Sequence, residues 1–315
     1  MRAEPLLPTR VYRFYRGGAL IGKLRGRPEE DEFFPEDWIG SVTLARNPGR
    51  DDPEEGLSRL ADGRPLRDAV EADPVSWLGE EHVARFGTST GLLVKLLDSA
   101  ERLPVHAHPD RAFAQEALDS PFGKTEAWIM LDTRGEEAEV WVGLREPVEP
   151  ERYLEWIVEQ DVDRLLGSLN RISVRPGDAI YVPAGVPHAL GAGVLIAELQ
   201  EPTDFSLLCE WRGYPVQAED SHLGLGWNVA VRALDLGVHE PVRGLPDEAR
   251  SFFWADRLVE ASGRFAVLLV VDGEGTIDGA PARGGAAFAV PAAAKPIRVE
   301  GDVKVLRCLG PDPRG

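Results

Sequence analysis

Residues 172–200 read ISVRPGDAIYVPAGVPHALGAGVLIAELQ, and this stretch carries the argument for the fold. Short apolar runs, AIYV and VLIAEL, are separated by Pro-Gly-Asp, Pro-Ala-Gly and Gly-Ala-Gly. Such punctuation fits turns between short strands rather than the caps of helices. The texture extends backwards to TGLLVKLLDSAERLPVHAH at residues 90–108. It also returns near the end of the chain, where residues 280–310 read APARGGAAFAVPAAAKPIRVEGDVKVLRCLG. Both stretches run glycine turn, strand, Val-Pro-Ala, short loop, strand, which suggests a duplicated β module. The position matching His188 in the second copy is Pro296, so the two copies are not chemical equivalents.

Working outward, PERYLEWIVEQDVDRLLGSLN (150–170) places Leu154, Ile157, Val158, Val162, Leu165, Leu166 and Leu169 at spacings of three and four, which predicts one helix. A shorter helix is expected after Pro109. Residues 24–90 read as polar loops, LRGRPEEDEFFPEDWIGS and RNPGRDDPEEG, followed by short helices ending in PVSWLGEEHVARFG. The expectation is a mainly β chain divided near residue 240. Residues 1–240 would form a metal-bearing module with N-terminal and helical additions, and residues 241–315 a smaller module without ligands.

Composition narrows the function. The chain has 315 residues and 53 acidic against 35 basic side chains, for a net charge of −18. That balance repels nucleic acid and anionic lipid, and no block of Lys and Arg interrupts it. With neither a signal-like start nor a long apolar run, a cytoplasmic protein is expected. Two cysteines, Cys209 and Cys308, are too few for a thiolate cluster, so a metal would take nitrogen and oxygen ligands.

Two of the six histidines lie in LPVHAHPDR (103–111). Residues two apart on a strand project from one face, so His106 and His108 can share an ion. Glu126, at the head of the apolar run AWIML, and His188, closing VPAGVPH, are the candidates to join them. Three imidazoles and a carboxylate suit zinc, and equally manganese or iron. His82, His222 and His239 have no second ligand nearby and read as structural or surface residues.

Taken in order, LLVKLLDSAERLPVHAHPD, GKTEAW and PGDAIYVPAGVPHALGAG resemble the class I phosphomannose (mannose-6-phosphate) isomerases of the cupin superfamily. EDWIGS around Trp38 is similar to that family's N-terminal Trp motif. The resemblance implies two cupin modules, each a jelly-roll β-barrel, with a few helices added to the first. It also implies one divalent metal ion, zinc in the family, on His106, His108, Glu126 and His188. The activity implied is the interconversion of mannose 6-phosphate and fructose 6-phosphate, with a small-molecule sugar or sugar phosphate as partner. Lys95 matches a family lysine assigned to the phosphate, and Lys124 matches the active-site lysine. Glu198, on the strand leaving His188, is the candidate base.

The departures are specific. His106 stands where the family has Gln. Pro104 stands where it has a phosphate-binding Ser, and offers neither a hydroxyl nor an N–H. The family's active-site Arg falls on Leu208, with Arg212 four positions on as its nearest replacement. These changes imply weak activity or a shifted substrate. Two other readings fit the same residues: a manganese or iron oxidative cupin, and a non-catalytic sugar-binding or regulatory cupin.

Overall fold

The computed structural model describes residues 1–27, 32–50, 52–257 and 263–314. Parts of both N-terminal loops, residues 28–31 and 51, lie outside the described residues. Among those described, strands pair antiparallel into three sheets, so the chain is mainly β with short helices at the edges.

The largest sheet runs Val242–Arg243, Ala179–Val182, Glu126–Thr133, Val194–Gln200, Leu93–Ser99, Glu36–Ile39 and Arg10–Val11. The second runs Leu207–Leu208, His106–Ala107, His188–Leu190, Ala138–Leu144 and Leu169–Val174. Residue alternation decides what lies between these two. In Val194–Gln200, Leu195, Ala197 and Leu199 enter one core cluster, whereas Val194 and Ile196 enter another with Trp128, Met130, Val140, Val142 and Leu190. The second cluster joins the two sheets face to face. By the same parity Glu198 points toward the smaller sheet, as Lys95 does from its own strand.

The opposite face of the large sheet packs on the third sheet, through Val267, Leu269, Ala287, Ala289, Leu306 and Cys308. That sheet runs Glu4–Leu6, Ala287–Val290, Ala266–Ile277, Val299–Leu309 and Trp254–Asp256, with Ala280–Arg283 paired to Ala266–Ile277. Its other face buries Leu268, Val270, Phe288, Val290 and Val305. The N-terminal strand thus pairs with the C-terminal sheet, Glu4 opposite Ala289.

Three expectations change in the structure. The helix expected over 150–170 is two, Pro150–Glu159 and Val162–Gly167, and Leu169 opens a strand. The break has a cause. Gln160 adopts a left-handed φ of 53° and its buried amide donates to the carbonyls of Ile157 and Cys209, while its oxygen accepts from the N–H of Trp211 and of Arg212. Asp161 then caps the second helix by accepting from the N–H of Arg164. Second, Glu36–Ile39 is a fully buried strand rather than part of a loop. Third, Val158, expected on the apolar stripe, is 64% exposed. The helix Arg111–Leu118 forms as expected, capped by Asp110 on the N–H of Phe113. Both cysteines are free and buried.

Candidate metal centre and its cleft

His106 and His188 face each other across adjacent strands of the smaller sheet. Their ring centroids are 4.1 Å apart, and His108 lies 5.0 Å from the first and 4.9 Å from the second. One ring nitrogen of each histidine lies within 4.8 Å of the others. The other nitrogen is spoken for: Nδ1 of His106, His108 and His188 sits 2.8, 2.7 and 2.8 Å from the carbonyls of Pro104, Phe205 and Val186. A carbonyl can only accept, so Nδ1 carries the proton and each Nε2 presents a lone pair.

These lone pairs converge. Nε2 of His106 and of His188 are 3.0 Å apart, and Glu126 places Oε1 3.3 Å from His188 Nε2 and Oε2 3.2 Å from His108 Nε2. Burial, reinforced by the neighbouring imidazoles, holds His106 far below the ordinary histidine range, and burial with Lys124 takes His108 down to about 3. His188 is also lowered by burial. Burial works against the Glu126 carboxylate, but Lys124 and the imidazoles keep it ionised well below the usual range. Three neutral imidazoles whose N–H groups are held by carbonyls, with a carboxylate among them, form a donor set that fits a divalent cation. Without a cation, the facing lone pairs repel.

Across from the histidines, register sets a row of side chains on the large sheet. Glu198 is opposite Trp128 on one side and Lys95 on the other, and Lys95 is opposite Trp38. Lys124 precedes this sheet and donates to Glu126 at 2.7 Å and to His108 Nε2 at 2.8 Å, with Glu198 Oε1 3.8 Å away. The Glu198 Oε2 atom, 3.6 Å from the Lys95 ammonium, accepts no hydrogen bond among the described residues. Burial raises Glu198 to about 8; Glu126 adds to the rise, while Lys95 and Lys124 oppose it. Burial likewise disfavours the Lys95 charge, but Glu36 and Glu198 lift it above the ordinary value.

His106, Lys95, Lys124, Glu126 and Glu198 all line one cleft of about 460 Å³. His108 and His188 join them through the contacts above. The same cleft exposes residues that sequence reasoning passed over. Buried Arg13 places Nε 3.0 Å from Glu36 and its two terminal nitrogens 3.1 and 3.0 Å from Asp204. Glu36 also accepts from Tyr15 and, at 2.6 Å, from Trp38 Nε1. Burial would raise Glu36, but Arg13 and Lys95 bring it down to about 2. One signal pointed that way: Glu36 stands two before Trp38 in EDWIGS and so shares its face of the strand.

Leu208 lines the cleft, and Arg212 does not take the place that Leu208 leaves. The Arg212 guanidinium instead donates to the carbonyl of Glu159 on the helical side. Pro104 serves through its carbonyl, which orients His106. The remaining histidines lie elsewhere: His82 bonds the carbonyl of Ser89, and His222 accepts from the N–H of Gly226. No described helix is long and apolar enough to cross a membrane.

Comparison with known proteins gives a consistent picture. No family model matches the chain. It is 33% identical over 207 residues to the mannose-6-phosphate isomerase of Streptococcus mutans, an alignment covering 64% of this chain and 59% of that protein. The chain thus spans about three fifths of the length of that relative. Its fold matches the mannose 6-phosphate isomerase of Bacillus subtilis with a TM-score of 0.76 at 24% identity, covering 98% of this chain and 99% of the other. It also matches a mannose 6-phosphate isomerase bound with zinc and yttrium, with a TM-score of 0.70 at 16% identity over 99% of this chain and all of that one.

Proposed function

We propose that this chain, which resembles the mannose-6-phosphate isomerases in sequence and has their fold, is a metal-dependent aldose–ketose isomerase with two cupin modules divided near residue 240. The observation that carries the reading is the convergence of three imidazole Nε2 lone pairs and the Glu126 carboxylate beside Lys124 and Glu198. His106, His108, Glu126 and His188 would hold one divalent ion, which we take as zinc because an isomerase of the same fold binds it. When bound, the ion supplies Lewis-acid polarisation of sugar oxygens.

The chain's own residues divide the remaining work. Isomerisation moves a proton between adjacent carbons, so a group must take it and give it back. Glu198 suits that task by position: it lines the cleft and keeps one oxygen without a hydrogen bond among the described residues. Lys124 supplies positive charge and N–H donors toward a developing oxyanion, and its contacts with Glu126 and His108 fix where the ammonium sits. Lys95 orders substrate hydroxyls from the neighbouring strand. The isomerase names of the relatives do not favour the oxidative or the purely sugar-binding alternatives.

The test is direct. The purified protein is expected to contain close to one equivalent of zinc by elemental analysis and to interconvert an aldose with its ketose. Glu198→Gln is expected to lower kcat by at least about a hundredfold at unchanged metal content. Undiminished turnover in that variant removes Glu198 from the mechanism, and no turnover of any sugar or sugar phosphate at full metal content overturns the isomerase reading.

A further inference from the structure

The substrate class can be read from how the cleft disposes of its charge. Each of the three buried cations is already shared between two carboxylates. Arg13 is held by Glu36 and Asp204, Lys95 lies 3.6 Å from both Glu36 and Glu198, and Lys124 contacts Glu126 and Glu198. Lys95 is additionally covered by the Trp38 ring, 5.0 Å from its centroid. The remaining cation on the cleft wall is Arg46, which is exposed, with its guanidinium 4.8 Å from the Phe205 ring centroid. Exposed Glu219 and Asp220 also line the wall. Four cations therefore stand against six carboxyl groups in the cleft wall, and a divalent ion would bring the balance to zero with Glu198 ionised and to one positive charge with Glu198 protonated.

A phosphate monoester carries close to two negative charges at neutral pH and must be desolvated to enter. In a cleft of at most one net positive charge a dianion is left unbalanced, or a buried ion pair must break, which leaves a carboxylate stranded. The two wall positions flanking His106 add no donor: Pro104 has no N–H, and Leu208, opposite His106 in the sheet, is apolar. Sugar hydroxyls face no such barrier. They donate to carboxylates and accept from ammonium and guanidinium groups without disturbing the charge balance.

We propose that the cleft is built for an uncharged aldose and discriminates against its phosphate ester. The inference rests on the isomerase reading and narrows its substrate. It is tested on the metal-loaded protein with mannose and mannose 6-phosphate, both by turnover and by calorimetric binding at fixed ionic strength. The expected result is a kcat/KM at least about tenfold higher for mannose, with mannose also bound more tightly. A higher kcat/KM or tighter binding for mannose 6-phosphate overturns the inference while leaving the isomerase reading intact. If no sugar or sugar phosphate turns over, the isomerase reading fails and the binding preference between these two compounds still decides the charge argument. Selective loss of mannose 6-phosphate binding in Arg46→Ala, with mannose binding unchanged, would identify a phosphate clamp and overturn the inference as well.

Discussion

The two copies of the Val-Pro-Ala pattern use one architecture for opposite ends. In the first, strands Ala179–Val182 and Val194–Gln200 border a face that carries Glu198 toward Lys95, Lys124 and Glu126. In the second, strands Ala287–Val290 and Val299–Leu309 bury Phe288, Val290, Val305 and Leu309 on one side and Ala289, Leu306 and Cys308 on the other. Pro296, the counterpart of His188 in the pattern, lies in a loop, whereas His188 opens a strand. Both sheets are antiparallel and both have strands buried against the core, so the difference lies in what occupies the interior. Buried charge is costly and is tolerated where it is paired. The first copy concentrates that cost around a cleft, whereas the second supplies apolar cohesion through both faces of its sheet.

The largest effect expected from this division is at the metal centre. Removing one imidazole by His108→Ala should abolish stoichiometric metal binding and reduce turnover by about a hundredfold or more, while the far-ultraviolet circular dichroism stays that of the wild type. Retention of a full equivalent of metal would break the assignment of His108 as a ligand.

The mirror experiment lies in the second copy. Phe288 is 1% exposed within an apolar cluster, and Phe288→Ala should cost about 3–5 kcal/mol in denaturant unfolding. Metal content and kcat/KM of the folded fraction should stay within about twofold of wild type. A specific loss of activity at full folding would show that the two copies are coupled more tightly than their separate interiors suggest.

Acid sharpens the contrast. Glu36, in the cleft wall, is held at about 2 in the folded chain by Arg13 and Lys95, against an ordinary value of 4.5. A depressed carboxylate contributes stability that is fully present above about 4.5 and is lost as pH falls toward 2. The shift corresponds to about 3 kcal/mol. Urea unfolding followed from pH 5 to pH 2 should therefore show a stability slope in wild type that is shallower in Glu36→Gln. An identical slope in both would mean that the Arg13 and Lys95 pairing does not favour the ionised form.

What could be read in advance follows the same boundary. The strand pattern, the metal candidates His106, His108, Glu126 and His188, and the helix after Pro109 lie in segments with clear alternation, turn residues or caps. Arg13, Glu36 and Asp204 do not. They sit in VYRFYRG, PEDWIG and PTDFS, where charged residues in irregular sequence read as surface, and only strand pairing across distant segments brings them together. The break at Gln160 was hidden for a related reason. Its amide is bound by Cys209, Trp211 and Arg212, some fifty residues away, and no local periodicity records that contact.

Arg212 is where this boundary predicts the smallest effect. On spacing alone it is the nearest arginine to the position Leu208 occupies, and a bulge in the strand would bring it into the cleft. The structure turns the chain the other way. The Arg212 N–H bonds the Gln160 side chain and its guanidinium bonds the Glu159 carbonyl, so the side chain closes off a helix end. Arg212→Ala should therefore leave kcat and KM within about twofold of wild type and lower stability by no more than about 1 kcal/mol. A large fall in kcat with stability unchanged would place this arginine at the reacting sugar and return the cleft to the charge balance that a phosphorylated substrate needs.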